Sequence, residues 1–279
     1  MSGPLSGRAA RFAAADLPRA VRAHLGLADG PLILSYPRRQ GATSQVAIVE
    51  TPGGKRVIKR AQGEQFRDWL AAEYRVLRAL PPLPVPAPRA CGIFQERTAS
   101  GSVCWLVMEF LAGEPMRQAL ARCSEPAARA RLLHAWGVAL AALHATPPPP
   151  ALAADPAPWL DRRLAQAAFN LAHYDDYAEV SPALLTQLRD QRPAPVAATL
   201  IHGDFTLDNT LVEGEAIAGF IDWCFGDAGD PRYDLALAVR PKAGIFGGEA
   251  DVAAFFAGYG RAPLSQAESR YFTQLYEYF

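Results

Sequence analysis

His202-Gly203-Asp204-Phe205-Thr206-Leu207-Asp208-Asn209 is followed, thirteen residues after its asparagine, by Asp222. Asp204 and Asn209 lie five positions apart on what reads as one short loop. Asp222 ends the strand-like run 216–221, which is entered through the turn Glu213-Gly214-Glu215. Phosphoryl transfer needs a carboxylate to orient the acceptor hydroxyl and take its proton. It also needs oxygen ligands for Mg²⁺, which prefers carboxylates, amide oxygens and water. One Asp–Asn loop followed by a hairpin-delivered Asp supplies both. His-Gly-Asp alone reads equally well as a turn with a hydrogen-bonded histidine, so the weight rests on the three residues together.

Toward the N-terminus, the runs 32–36, 45–51 and 56–59 have strand character, and Pro52-Gly53-Gly54 marks a tight turn between the last two. A helix is predicted over 17–27, broken by Asp29-Gly30-Pro31, and another over 64–80, stopped by Pro81-Pro82. Strands over 89–95 and 103–110 complete an antiparallel β-β-β-α-β-β arrangement. Alternation puts Val57 and Lys59 on one face of the third strand and Ile58 on the other. On the following helix, Phe66, Leu70, Glu73, Tyr74, Leu77 and Leu80 keep helical spacing, so Glu73 lies at the apolar stripe, where an unpaired carboxylate is costly. A Lys59–Glu73 ion pair would resolve that conflict. Lys55 and Arg60 compete as the cation, and Glu64 and Asp68 as the acid.

After Leu111-Ala112-Gly113 helical periodicity takes over from 115 to 144, with further helices over 157–172 and 182–189. Short strands at 199–202, 209–212 and 217–221 surround the Asp204 loop. Helices over 233–239, 250–259 and 264–278 close the chain. The fold class expected is α+β, with a sheet-rich lobe over 1–110 and a larger, mainly helical lobe over 111–279. The proline-rich stretches at 81–88 and 147–158 read as loops within lobes.

The pattern His202-x-Asp204-x-x-x-x-Asn209, with Ile221-Asp222-Trp223 and Gly229-Asp230-Pro231-Arg232-Tyr233-Asp234-Leu235-Ala236 downstream, resembles the aminoglycoside phosphotransferase and choline kinase-like branch of the protein-kinase-like fold. The likeness runs from about Leu32 to the end. It implies a bilobal kinase using Mg²⁺ with ATP or GTP as phosphate donor. In it Asp204 is the catalytic base, Asn209 and Asp222 are metal ligands, and His202 shapes the loop. It also implies that adenine docks on the backbone of Glu109 and Leu111 with Met108 behind the base, in a run that otherwise reads as a buried strand. The loop Arg38-Arg39-Gln40-Gly41-Ala42-Thr43-Ser44 has one glycine, unlike the GxGxxG of protein kinases. Gly41, Thr43 and Ser44 there either cradle phosphate oxygens or form a plain hairpin loop. Asp227, Asp230 and Asp234 read as scaffold, with Asp230 an N-cap before proline.

Too few residues follow Asp222 for an activation loop, and the resemblance implies that the long helical region before His202 is where the acceptor pocket is built. A small hydroxylated acceptor is therefore expected rather than a protein. A polyamine of the aminoglycoside type would use acids such as Asp175, Asp176, Glu179, Glu249, Asp251 and Glu268. A macrolide would use walls such as Trp159, Tyr174, Phe246, Phe255 and Phe256. Choline and homoserine also fit; a nucleotide-binding pseudokinase is the alternative of another class, and the presence of every expected catalytic group argues against it. The motifs serve antibiotic inactivation and metabolism alike.

Lys plus Arg and Asp plus Glu both number 28, which removes the basic surplus that nucleic-acid binding needs. The longest apolar runs, around 103–112 and 136–145, are too short to cross a bilayer. The four widely spaced cysteines contain no CxxC pair and read as reduced thiols of a cytoplasmic protein. No obligatory protein partner is expected. The Arg- and Ala-rich residues 1–15 read as a solvated terminus.

Overall fold

The computed structural model describes residues 11–27, 32–41, 43–98, 101–174 and 180–279. The chain divides into two compact units, one made of the described residues up to Arg78 with Pro88–Phe110, the other of Ala79–Ala87 with Leu111–Phe279.

The first unit holds α1 (Arg19–His24), β1 (Leu34–Ser35), β2 (Gln45–Thr51), β3 (Gly54–Gln62), α2 (Glu64–Ala79), β4 (Ala90–Thr98) and β5 (Gly101–Glu109). The strands form one antiparallel sheet in the order β1-β2-β3-β5-β4. Pro52 and Gly53 make the two-residue turn between β2 and β3, with Thr51 paired to Gly54. Ile58 points to the face covered by Val21, Leu25 and Phe12, while Lys59 points to the face carrying Glu73 of α2.

Of the expected solvated tail over 1–15, the described residues 11–15 depart from that reading at Phe12. Phe12 is buried, stands edge-on to Trp105 and accepts a hydrogen bond at its carbonyl from the Tyr36 hydroxyl at 2.7 Å. It joins the buried cluster of Leu17, Val21 and Leu25, and one buried Phe contributes about 1.5–3 kcal/mol. The first helix is shorter than the predicted 17–27, since Pro18 caps it, and strand β1 keeps only two residues of 32–36. The predicted breaker Asp29-Gly30-Pro31 lies outside the described residues, as do residues 1–10, Ala42 and residues 99–100.

The second unit contains β6 (Glu114–Pro115), α3 (Met116–Arg122), α4 (Pro126–Ala145), α5 (Trp159–His173), α6 (Pro182–Asp190), β7 (Thr199–Ile201), β8 (Thr210–Glu213), β9 (Ala216–Phe220), β10 (Asp227–Gly229), α7 (Pro231–Ala238), α8 (Glu249–Tyr259) and α9 (Gln266–Tyr276). The helical stretch expected over 115–144 is two helices. Glu125 accepts hydrogen bonds from the Ala127 and Ala128 amides, and Pro126 occupies the first turn, so the chain restarts there. Two short sheets, β6-β8-β9 and β10-β7, frame the Asp204 loop. The segment 79–87 joins this unit, with the Phe220 amide donating to the Pro86 carbonyl at 2.9 Å.

Helices α4 and α8 cross at van der Waals contact through glycines. A methyl on Gly137 would lie 2.0 Å from the Phe255 carbonyl, and one on Gly258 would lie 1.9 Å from that of His134. This crossing buries Trp136, which stacks on Phe205 at 5.2 Å and so holds α4 against the Asp204 loop. Among the described residues no helix is long and apolar enough to cross a membrane, and no disulfide joins the cysteines.

Candidate active site

The Asp204 loop is fixed from behind by buried Asp234 on α7. Its carboxylate accepts from the amides of His202 at 2.6 Å and Gly203 at 2.8 Å. His144 approaches the same carboxylate at 3.2 Å and is itself bonded to the Tyr259 hydroxyl at 2.8 Å. His202 is buried, and its Nε2 lies 2.9 Å from the Ile221 carbonyl, so Nε2–H donates and Nδ1 accepts from the Asp204 amide. The imidazole thus ties the loop to the residue before Asp222 and has a structural task. Gly203 has φ +80, and a methyl there would lie 2.1 Å from the Phe225 carbonyl, so no other residue fits.

Asp204 is only partly exposed. Asn209 Nδ2 donates to its Oδ2 at 2.6 Å and to its carbonyl at 2.9 Å, while the Tyr276 hydroxyl donates to Oδ1 at 2.8 Å. Burial pushes the Asp204 carboxyl up to about 7. The Tyr276 and Asn209 hydrogen bonds oppose the rise, and the neighbouring Asp222 and Asp234 carboxylates add to it. The Ile221 amide donates to the Asn209 carbonyl at 2.9 Å, which brings the asparagine's strand and the start of the Asp222 turn together. Asp222 has φ +65, unique among the described non-glycine residues. Such a conformation costs about 1–3 kcal/mol and persists where surrounding contacts over-determine it. The Trp223 indole supplies one such contact by donating to the Phe220 carbonyl at 2.8 Å.

In the first unit, Lys59 Nζ donates to both carboxylate oxygens of Glu73, at 2.7 and 2.8 Å, and both side chains are buried. The competing groups are engaged or exposed elsewhere. Lys55 pairs with Glu50, Arg60 donates to Gln45 and lies over Trp105, and Glu64 and Asp68 face solvent. In the loop before β2, Gln40 bonds both the amide and carbonyl of Val46, with Gly41 exposed and Thr43 and Ser44 half-buried. Met108 is buried on β5. The Glu109 amide donates to the Arg89 carbonyl and its side chain pairs with Arg89. Leu111 belongs to the second unit.

Several sequence-predicted acceptor residues are committed to structure. Asp251 accepts a bidentate pair from Arg129, and Glu268 accepts from Arg232. Phe246, Phe255, Phe256 and Trp159 are core residues, and Tyr174 is half-buried. Glu249 is exposed, and Asp175, Asp176 and Glu179 lie outside the described residues. Asp230 caps α7 and Asp227 pairs with Arg162. Two contacts carried no local sequence signal: Tyr276 on Asp204, and Arg117 in a bidentate pair with Asp208 at 2.6 and 2.7 Å, 72 and 91 residues away along the chain.

Residues 37–271 match the model of the phosphotransferase enzyme family. The chain belongs to that family. Its fold is protein-kinase-like, as in the solved aminoglycoside-3'-phosphotransferase of type VIII, which superposes with a TM-score of 0.71 at 24% identity over 94% of this chain and 97% of that one. The streptomycin–ATP ternary complex of APH(2")-IIa superposes at 0.61 with 17% identity, covering 88% and 82%. Homoserine kinase of Neisseria meningitidis serogroup B is 38% identical over 89 residues, and aminoglycoside 3'-phosphotransferase of Niallia circulans is 29% identical over 105. Those alignments take in 30% and 38% of this chain and span only 29% and 40% of the relatives' own lengths.

Proposed function

We propose that this family member transfers the γ-phosphoryl group of ATP or GTP to a hydroxyl of a small molecule, with Asp204 as general base. The observation that carries the reading is the Asp204–Asn209 contact on a loop locked from behind by Asp234, ending beside the strained Asp222. Asp204 orients the acceptor hydroxyl and takes its proton as the new O–P bond forms, while the bond to the nucleoside diphosphate breaks. Lys59, held by Glu73, supplies a point charge to the nucleotide phosphates. In the first unit the backbone of Glu109 meets the base, with Met108 behind it. Gly41, Thr43 and Ser44 line the phosphates.

The donor set fits Mg²⁺. Asn209 spends its amide N–H on Asp204, and among the described residues no donor is bonded to its amide oxygen. That oxygen and the Asp222 carboxylate are hard ligands of the kind Mg²⁺ favours. Bound there, Mg²⁺ would neutralise phosphate charge. The solved relative whose name includes ATP, together with others in GDP complexes, supports a nucleotide donor of either base.

Thermal unfolding with Mg²⁺–ATP and with Mg²⁺–GTP tests binding and donor choice, and a stabilising shift with at least one is expected. Asp204→Ala should lower turnover on the order of 10² to 10⁴, the usual contribution of a positioned base, without abolishing the nucleotide-induced shift. Unchanged turnover in that variant contradicts the assignment.

A further inference from the structure

The basic side chains near Asp204 are unequally committed. Arg117 is spent on Asp208, and Arg240 pairs with Glu277 while its guanidinium lies over the Tyr276 ring at 5.7 Å. Lys242 is different. Its ammonium lies within electrostatic reach of Asp204, Asp208, Arg117 and Arg240, yet among the described residues nothing accepts a hydrogen bond from it. It is half-buried, and burial together with the two arginines lowers its pKa below the ordinary lysine value. Asp208 and Asp204 offset part of the cost of burying this cation, and the half-buried ammonium still has donors that no described residue accepts.

Its backbone is held. The Lys242 amide donates to the Phe246 carbonyl at 2.8 Å and the Phe246 amide donates back at 2.9 Å. Phe246 stands edge-on to Trp136, and Trp136 stacks on Phe205, the neighbour of Asp204. The turn carrying Lys242 is therefore packed onto the same aromatic group as the Asp204 loop. Of the described acids that could have welcomed a polycation, Asp251, Glu268 and Glu277 carry arginine partners, and Glu249 is exposed.

We infer that the acceptor is a small hydroxy acid whose carboxylate is held by Lys242, with Arg240 beside it, while its hydroxyl lies on Asp204. This rests on the phosphotransferase reading above and adds the chemical class of the acceptor. The nucleotide phosphates are the other anion Lys242 could meet. They are assigned to Lys59 and to the Asn209–Asp222 metal site, whereas Lys242 shares its surroundings with the base that takes the acceptor proton.

Steady-state kinetics of the full chain with Mg²⁺–ATP and Mg²⁺–GTP separate these cases. L-homoserine (a zwitterion) and glycerate (an anion) are the carboxylate-bearing probes, glycerol the uncharged one and kanamycin the polycation. The hydroxy acids should be phosphorylated with higher kcat/KM than glycerol or kanamycin. Lys242→Gln should raise the KM for the hydroxy acid about 10- to 100-fold, the value of one charge-assisted hydrogen bond, with kcat and nucleotide KM little changed. Lys242→Arg should recover much of the loss, and the unfolding midpoints should match. Transfer only to kanamycin or glycerol overturns the inference, as does a Lys242→Gln effect confined to nucleotide KM. No transfer to any probe by a chain that still binds nucleotide also overturns it. A chain that binds neither nucleotide contradicts the phosphotransferase reading itself.

Discussion

The Lys59–Glu73 pair and the Asp204 loop solve opposite problems. In the first unit two buried charges satisfy each other, each on a regular element whose repeat aims it. In the second, Asp204 and Asp222 sit on irregular backbone that would not hold its shape alone. Asp234, His202 and Trp136 support it from neighbouring elements. A pair on regular elements is sensitive to loss of its partner, and a loop site is sensitive to loss of its scaffold. Point variants should therefore fail differently in the two units.

The largest stability effect is expected at Glu73. Glu73→Ala strands the buried Lys59 ammonium and should cost about 3–5 kcal/mol in denaturant unfolding. A Lys59→Met, Glu73→Leu double variant should recover most of that stability yet not nucleotide binding, because an apolar pair packs but carries no charge. Next comes Gly203→Ala, where a methyl meets the Phe225 carbonyl at a positive φ. Overpacking predicts a loss of about 1–3 kcal/mol, measurable by the same unfolding, together with a fall in turnover. Full activity in Gly203→Ala would show that the loop does not need the observed backbone.

Thr210→Val tests the scaffold more gently. The Trp136 indole donates to the Thr210 hydroxyl at 2.9 Å, and leaving that buried N–H without an acceptor should cost about 1–3 kcal/mol. The smallest effect concerns Asp251, whose carboxyl is held below the ordinary value by its hydrogen bonds from Arg129. A depressed folded-state pKa contributes stability above the unfolded pKa, about 3.9, and loses it as pH falls through the lower folded value. Asp251→Asn should therefore be less stable than the parent by about 1 kcal/mol at neutral pH, the gap closing below about pH 4. A gap that widens in acid would reverse the sign of the argument.

The same contrast explains what the sequence disclosed. Strand alternation and helix periodicity aimed Lys59 and Glu73 at one space, since both lie on long regular elements. The strands β2, β3 and β5 were legible for the same reason. The Asp204–Asn209 spacing was legible because both residues lie in one loop. Tyr276 and Lys242 were not, because the fold alone brings α9 and the turn after α7 to that loop. The α3–α4 break lay in Glu125-Pro126, a cap and helix start that a continuous apolar pattern concealed. Phe12 was misread because its surroundings are Ala- and Arg-rich while its partners, Trp105 and Tyr36, are distant in sequence.

The most direct test is ³¹P NMR of the chain with Mg²⁺–nucleotide and the hydroxylated probes, run in parallel on Asp204→Asn. The account predicts a phosphomonoester resonance growing at the rate the γ-phosphate resonance disappears, and its near-loss in the variant with the unfolding midpoint preserved. Inorganic phosphate as the sole product, or an undiminished rate in Asp204→Asn, would contradict it.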